Sequence, residues 1–146
     1  MVRPTLVVLI FALAGCSSPA PQATSKQAAV ENTGPATTTS KHPLAKYIEL
    51  AGFRLAESKP GELDVKFVAI NHSEADLGDL DLTIRLKTTA SKPDDPPVAE
   101  FQAKVPSLGP LEIRDIGAKL KTKLRIYELP DWQFMRAEFD ITSPAP

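Results

Sequence analysis

The chain of 146 residues contains one cysteine, two histidines and one tryptophan. A single thiol excludes an internal disulfide and a cysteine-based metal site, so the fold relies on its own core. From Lys46 onward, 14 basic residues face 17 acidic residues, a net charge near −3. This balance argues against a nucleic-acid-binding protein or a generic binder of anionic membranes, both of which are strongly basic.

The N-terminal residues follow the layout of a secretory signal. Arg3 supplies a positive start, and an apolar run extends from Leu6 to Ala14. This run is about half of the ~20 apolar residues that a membrane-spanning helix needs. Small residues then lead to the single cysteine, Cys16, as at a cleavage site. We therefore predict a signal peptide over residues 1–15, rather than an uncleaved span or a signal followed by a stray cysteine.

The segment Leu13-Ala14-Gly15-Cys16 resembles the lipobox of bacterial lipoproteins. In that family the cysteine carries acyl chains such as palmitate and becomes the first residue of the mature protein. The resemblance implies lipidation of Cys16, and several acyl chains give stable membrane anchoring. Ser17 follows the cysteine at a position where some lipoproteins have Asp. In this respect the chain resembles lipoproteins of the outer membrane that face the periplasm.

Residues 16–45 are rich in Ala, Ser, Thr, Pro and Gln and have no apolar periodicity. Such a composition buries too little surface to offset chain entropy, so we predict a disordered linker. It serves either as a spacer or as an idle leader. A single domain is predicted over residues 46–146, with a short disordered tail from about residue 143.

Period-two alternation of apolar and polar residues dominates the predicted domain, which is typical of half-buried strands. Gly52 is interpreted as a bulge or bend, and Gly117 as a kink. Turn signals such as Lys59-Pro60-Gly61 separate the apolar runs. The pattern predicts an all-β fold, an immunoglobulin-like antiparallel β-sandwich of 6–7 strands. The predicted strands cover residues 47–55, 63–70, 80–87, 99–105, 111–127 and 135–141.

Three short pieces of the predicted domain resemble the FxLYD-type immunoglobulin-like family of bacterial exported proteins. They are Ile70-Asn71-His72-Ser73, the alternating strand from Leu80 to Lys87, and Leu108-Gly109-Pro110-Leu111-Glu112. Leu86-Lys87-Thr88-Thr89 stands where that family has an aromatic-Asp segment followed by glycine. The family has no general catalytic residue set, so the resemblance implies a fold and no chemistry.

Four basic residues stand at every second position near the end of the fifth predicted strand. As a row they could contact phosphates, lipid head groups or an acidic polymer. Alternation alone also predicts a solvated strand face, paired across strands with acids such as Asp79, Asp81, Glu138 and Asp140. The row consists of Lys119, Lys121, Lys123 and Arg125.

Aromatic residues surround the turn at residues 129–132. Tyr127, Trp132 and Phe134 are either anchors for a partner protein or a plug at the end of the sandwich. We include Trp132 among the candidate partner-binding residues.

An acidic loop and a polar strand end offer weaker candidates. The acidic loop, which holds Glu74, Asp76, Asp79 and Asp81, lacks the spacing of a known calcium loop, and its residues are typical of turns. His72 and Ser73 lack a third group for a catalytic triad, and Asn71 is interpreted as a turn residue.

These observations predict a non-enzymatic lipoprotein of the bacterial cell envelope, held by its lipid and without a cofactor. Its sandwich is expected to bind or scaffold an envelope protein or polymer, with no nucleic-acid partner. The alternative prediction is a periplasmic carrier of a small molecule or metal ion. A hydrolase would need a pocket with perturbed titratable groups, and no motif indicates one.

Overall fold

The computed structural model describes residues 30–32, 35–38 and 40–146, and it is built almost wholly from strands. Three short 3₁₀ helices cover Pro43–Lys46, Ile126–Glu128 and Trp132–Phe134. None of the helices in this part of the chain is long and apolar enough to cross a membrane. The strands are Val30–Asn32 (β1), Ile48–Lys59 (β2), Glu62–Asn71 (β3), Leu80–Thr88 (β4), Ala99–Val105 (β5), Ile113–Lys121 (β6) and Met135–Ser143 (β7).

The strands form two antiparallel sheets that face each other. Sheet 1 has the order β1-β2-β3-β6, and sheet 2 has the order β5-β4-β7. Connections between β3 and β4, β5 and β6, and β6 and β7 pass from one sheet to the other. The predicted all-β, antiparallel, sandwich-like architecture is therefore confirmed, although the two sheets do not close into a barrel.

A bulge in β2 sits at Gly52, as the sequence predicts. The pairing of β2 with β3 shifts register between Ala51 and Arg54, and Gly52 has a φ of 64°. This left-handed conformation favours glycine, which has no Cβ to clash with the backbone. Because the bulge changes the phase of the strand, Leu50 and Phe53 both face the core although they are three residues apart.

The hydrophobic core lies between the inner faces of the two sheets. In sheet 1, the rings of Phe53 and Phe67 stack with their centroids 5.0 Å apart. Such aromatic pairs stabilise a core beyond the area that they bury. Sheet 2 contributes fully buried side chains from its central strand, including Leu82, Ile84 and Leu86. The alternation that defines the strands in the sequence is thus the alternation between core and solvent.

Strand β6 is shorter than the sequence predicts. It ends at Lys121, whereas the alternating pattern continues to Tyr127. Beyond Thr122 the chain turns across the end of the sandwich, and Ile126 becomes buried there. Alternation persists because this connection also has one side against the core. Gly117 causes no kink in the pairing, which runs from Ile113 to Lys121 without a register shift.

The ordered contacts of the domain begin before Lys46, which corrects the predicted boundary for the described residues. Strand β1 pairs with β2. The Thr37 N–H donates to Ala137 O at 2.9 Å, and Thr37 O accepts from Phe139 N–H at 3.0 Å. His42 is buried, with Nε2 lying 2.9 Å from Pro144 O in the C-terminal tail. These contacts are mainly backbone hydrogen bonds, which leave no apolar period in the sequence.

Candidate binding surface

The four residues of the predicted basic row do not share one strand. Lys119 and Lys121 lie on the outer face of β6, while Lys123 and Arg125 lie in the connection that follows it. The connection, residues 122–134, crosses one end of the sandwich and directs Ile126, Leu129 and Trp132 into the core. The row is therefore bent over an end of the molecule rather than displayed on a flat sheet.

Lys119 is engaged with acids of the neighbouring strand β3. Its Nζ forms an ion pair with Asp64 and lies 3.5 Å from Glu62 Oε1. The hydrogen bond to Asp64 raises the pKa of Lys119, and the same bond lowers the pKa of Asp64. Partial desolvation of Glu62 acts to raise its pKa. The nearby Lys59 and Lys119 outweigh this effect, so the pKa of Glu62 is lowered. The positive charge of Lys119 is thus largely offset by the carboxylates of Asp64 and Glu62.

Arg125, at the other end of the row, is also paired. Its Nε donates to Glu57 Oε1 at 2.5 Å, and its guanidinium lies 5.6 Å from the ring centroid of Tyr127. The Arg125 backbone N–H donates to Glu128 Oε2 at 2.7 Å. Arg125 therefore fixes the start of the connection against β2.

The acids that neutralise the row differ from those expected. Asp81, Glu138 and Asp140 belong to sheet 2 and pair there, for example Asp140 with Arg85 at 2.5 Å. Strand β6 lies beside β3 in sheet 1, so only acids of β2 and β3 reach the row. The expected cross-strand partners are wrong because the sequence does not specify which strands are neighbours.

The two middle residues of the row, Lys121 and Lys123, are exposed and form no ion pair with any described residue. Their ammonium groups remain available to an anionic partner. The same end displays two exposed aromatic side chains, since Tyr127 is 74% exposed and Phe134 is 55% exposed. We call Lys121, Lys123, Tyr127 and Phe134 the basic end.

Trp132 does not belong to this exposed surface. It is only 8% exposed and packs into the core from the 3₁₀ helix Trp132–Phe134. Its location is that of a plug at the end of the sandwich. The exposed aromatics that sequence reasoning considered beside it, Tyr127 and Phe134, are the ones a partner can touch.

The chain also enters the domain at this end. Val30 pairs with Leu55 and Asn32 pairs with Phe53, so β1 runs antiparallel to β2. The N-terminal end of β1 therefore points toward the end of sheet 1 where Lys59 and Lys121 lie. Cys16 and the predicted signal peptide lie outside the described residues, as does most of the predicted linker.

The opposite end is organised around Asn71, which is buried. Its Nδ2 donates to Ala75 O and to Gly109 O, each at 2.8 Å, and its Oδ1 accepts from the Ser73 N–H at 2.8 Å. Asn71 therefore ties the acidic loop to the loop between β5 and β6. These two loops carry two of the three sequence pieces on which the family resemblance rests.

The acidic loop uses its carboxylates locally. Asp79 Oδ1 accepts from the Ser107 N–H at 2.7 Å, and Asp81 lies 3.7 Å from Lys104 Nζ. Nowhere in the described part of the chain do three or more His, Cys, Asp or Glu residues group closely enough to hold a metal ion. His72 contacts Glu49, with Nε2 and Oε2 2.7 Å apart, rather than Ser73.

A polar cluster on the outer face of sheet 2 escaped the sequence analysis. Lys87 is 6% exposed, donates to Pro93 O at 2.7 Å and lies 3.5 Å from Glu138. Arg136 donates to Ser91 O at 3.2 Å and to Glu138 Oε1 at 2.9 Å. Beneath the loop after β4 lies a depression of about 440 Å³. The alternating pattern places Lys87 on the outer face of its strand, and nothing in the sequence indicates that a loop covers it.

The fold defines an all-β protein with two antiparallel sheets and a bent basic and aromatic end. Comparison with known protein families, curated proteins and solved structures finds no match for this chain.

Proposed function

We propose that this chain is a lipoprotein of the bacterial cell envelope, acylated at Cys16, whose domain binds or scaffolds another envelope component without catalysis. The Leu13-Ala14-Gly15-Cys16 segment and the short apolar run before it support export and lipidation. Ser17 supports an outer-membrane position facing the periplasm.

The strand order supports an immunoglobulin-like sandwich. Strands β2, β3 and β6 take the places of A, B and E in that fold, and β5, β4 and β7 take those of C′, C and F. The last strand, G, has no counterpart among the described strands. Thr37 instead forms a parallel bridge at the edge of β7. The contact between Asn71 and Gly109 also supports the FxLYD-type resemblance, since it joins two of its motifs.

We assign partner binding to the basic end. The observation that supports this assignment is that the N-terminal end of β1 points toward the same end of the domain. Val30 lies fourteen positions after Cys16, which limits their distance to about 50 Å even if the chain is fully extended. A lipid at Cys16 therefore keeps this end near the membrane. Lys121 and Lys123 suit an acidic polymer or an acidic protein surface at that level.

The partner assignment is tested with the full-length protein in cells. The double variant Lys121→Glu and Lys123→Glu should lose crosslinked partners that the unaltered chain captures, while its membrane fractionation stays the same. Lys104→Glu is the matched control, because Lys104 is an exposed lysine on sheet 2, away from the basic end. Equal capture by all three proteins would remove the basic end from the proposal.

The anchor is tested separately. Cys16→Ser should move the protein out of the membrane fraction, and globomycin should block its processing. If processing and fractionation are unchanged, the lipoprotein assignment fails whatever the partner experiment shows.

A further inference from the structure

Strand β6 is an edge strand of sheet 1, and no described strand hydrogen-bonds to its outer side, although β5 of sheet 2 lies close to it. The Asn71 N–H donates to Glu112 O, and the Thr122 N–H donates to Gly61 O, in one continuous register of β6 with β3. Hydrogen bonding alternates along an antiparallel pair. The even-numbered residues of β6 therefore bond to β3, and the odd-numbered residues direct their backbone groups to the free edge.

This edge is long, and of the usual protections it has only the charged side chains of Asp115, Lys119 and Lys121. The outward residues are Ile113, Asp115, Gly117, Lys119 and Lys121, a stretch of about 30 Å at the rise of a strand. Free edges of this kind pair with other strands unless bulges, proline or a covering segment prevent it. Pairing of β6 has no register shift, and no proline interrupts the strand.

The charges along the edge are complementary to themselves when two copies run antiparallel. With Gly117 opposite Gly117, Asp115 lies opposite Lys119 of the second copy, and Ile113 lies opposite the aliphatic stem of Lys121. In a parallel alignment, Asp115 would face Asp115 and Lys119 would face Lys119. Opposite charges across strands stabilise a pair, and like charges destabilise it.

Gly117 lies at the centre of this arrangement, and its position has room for a small side chain. A Cβ added there meets no atom within 4 Å, and the residue does not have a positive φ. Packing and backbone conformation within one chain therefore do not require glycine, which weakens a strand. A depression of about 350 Å³ extends over the outer face from Gly117 across β3 to Gly52, bordered by Lys66 and Asp115.

We propose that the protein forms a symmetric dimer in which two β6 strands pair antiparallel about Gly117, joining both copies of sheet 1 into one continuous sheet. All five outward residues then lie in hydrogen-bonded pairs, because odd-numbered residues face each other across the axis. The partner is a second copy of this chain. Of the basic end, Lys121 lies at the outer limit of the paired strands, whereas Lys123, Tyr127 and Phe134 lie beyond β6.

The test is sedimentation of the full-length protein in density-matched detergent, from about 1 to 100 µM, a range suited to a weak interface. It does not depend on whether Cys16 is lipidated. The unaltered chain should dimerise with rising concentration. Gly117→Pro should abolish the dimer, because it removes an outward N–H and leaves the bonds to β3 intact. Gly117→Ala, which keeps that N–H, is the control and should still dimerise.

Asp115→Lys provides a second variant that does not alter the backbone. Asp115 forms no ion pair within the described chain, so the monomer should keep its melting temperature. Lysine opposite Lys119 should raise the dimer dissociation constant about tenfold or more, and less so at high salt. A monomeric unaltered chain, or a dimer that persists in both Gly117→Pro and Asp115→Lys, would overturn the proposal. If Gly117→Pro fails to fold, Asp115→Lys decides.

Discussion

At the scale of single residues, the end of the domain opposite the basic end depends on two unusual positions. Asn71 is a buried polar residue with partners on both sides of its amide. Leu111 is 64% exposed and has a φ of 54°, in the left-handed region. The first position stabilises the loops, whereas the second stores strain.

Asn71→Asp replaces an amide donor by a carboxylate that faces the carbonyl oxygens of Ala75 and Gly109. We expect the free energy of unfolding to fall by about 3 kcal/mol at pH 7, since both acceptors lose their partner. Ser73→Ala, which removes only a neighbouring hydroxyl, should cost about 1 kcal/mol. Urea titrations measure both, and an Asn71→Asp protein as stable as the unaltered chain would contradict the role of this amide.

Leu111→Gly should stabilise the fold by about 0.5–1 kcal/mol, because glycine adopts a positive φ without a Cβ clash. Ile113 is the matched control, since it is equally exposed but extended in β6. Ile113→Gly should destabilise by about 1 kcal/mol. Thermal unfolding of the two variants should give shifts of opposite sign, and shifts of the same sign would argue against strain at Leu111.

At the scale of structural elements, Glu112 holds the turn that leads into β6. Its Oε2 accepts from the Gly109 N–H at 2.6 Å, and its Oε1 accepts from Arg114 Nε at 2.8 Å. The backbone hydrogen bond from Gly109, together with Arg114, lowers the pKa of this carboxyl. The charged form of Glu112 is therefore favoured by folding.

This lowered pKa determines the sign of a pH dependence. The stabilisation is complete above the unfolded-state pKa of about 4.3 and is lost as the pH falls through the lower folded-state pKa. Glu112→Gln should reduce stability at pH 7 and flatten the loss of stability between about pH 5 and pH 3. Glu74→Gln, which removes an exposed carboxylate of the neighbouring acidic loop, is the control. Parallel profiles for Glu112→Gln and the unaltered chain would disprove the linkage.

Prediction from sequence succeeded at this scale where the signal was local. The strands at residues 63–70, 80–87, 99–105 and 135–141 lie within observed strands, because alternation reports which side of each strand faces the core. The bulge at Gly52 was predictable because a glycine inside a strand pattern indicates a bulge or bend. Strand β6 was overestimated, because the connection after Lys121 keeps an alternating exposure while it no longer pairs.

At the scale of the whole molecule, residues 36–38 connect the two sheets along one side, although their sequence is typical of a linker. Ala36 N–H donates to Leu50 O of sheet 1 at 2.6 Å, and Thr37 bonds to β7 of sheet 2. Thr38 Oγ1 adds a 2.8 Å bond to Phe139 O. This segment covers the edge of β7, whereas no described strand pairs with the outer edge of β6 on the other side.

Thr37→Pro removes the N–H that bonds to Ala137 and should lower the unfolding free energy by about 1–2 kcal/mol. The amide of Phe139, which donates to Thr37 O, should exchange faster with solvent. Thr37→Ala keeps the backbone donor at an exposed position and should be neutral. If the proline variant melts at the same temperature as the alanine variant, the segment does not contribute to stability.

Only part of the candidate site could be predicted from the sequence. Lys121 and Lys123 were found from their spacing, and both are exposed and without an ion pair within the described chain. Lys119 and Arg125 belong to the same spacing, yet Asp64 and Glu57 neutralise them. Asn71 was recognised only as a turn residue, because its partner Gly109 lies 38 positions away.

The amino-acid sequence by itself determined that the domain is all-β, where most strands run and which residues form the core. Each of these follows from interactions between a residue and its near neighbours or solvent. Only the tertiary structure decided that β6 lies beside β3, that no described strand pairs with its outer edge, and that the N-terminal end of β1 points toward the Lys59 end of sheet 1. Strand pairing joins residues far apart in the chain, and alternation has the same form whichever strand is the neighbour.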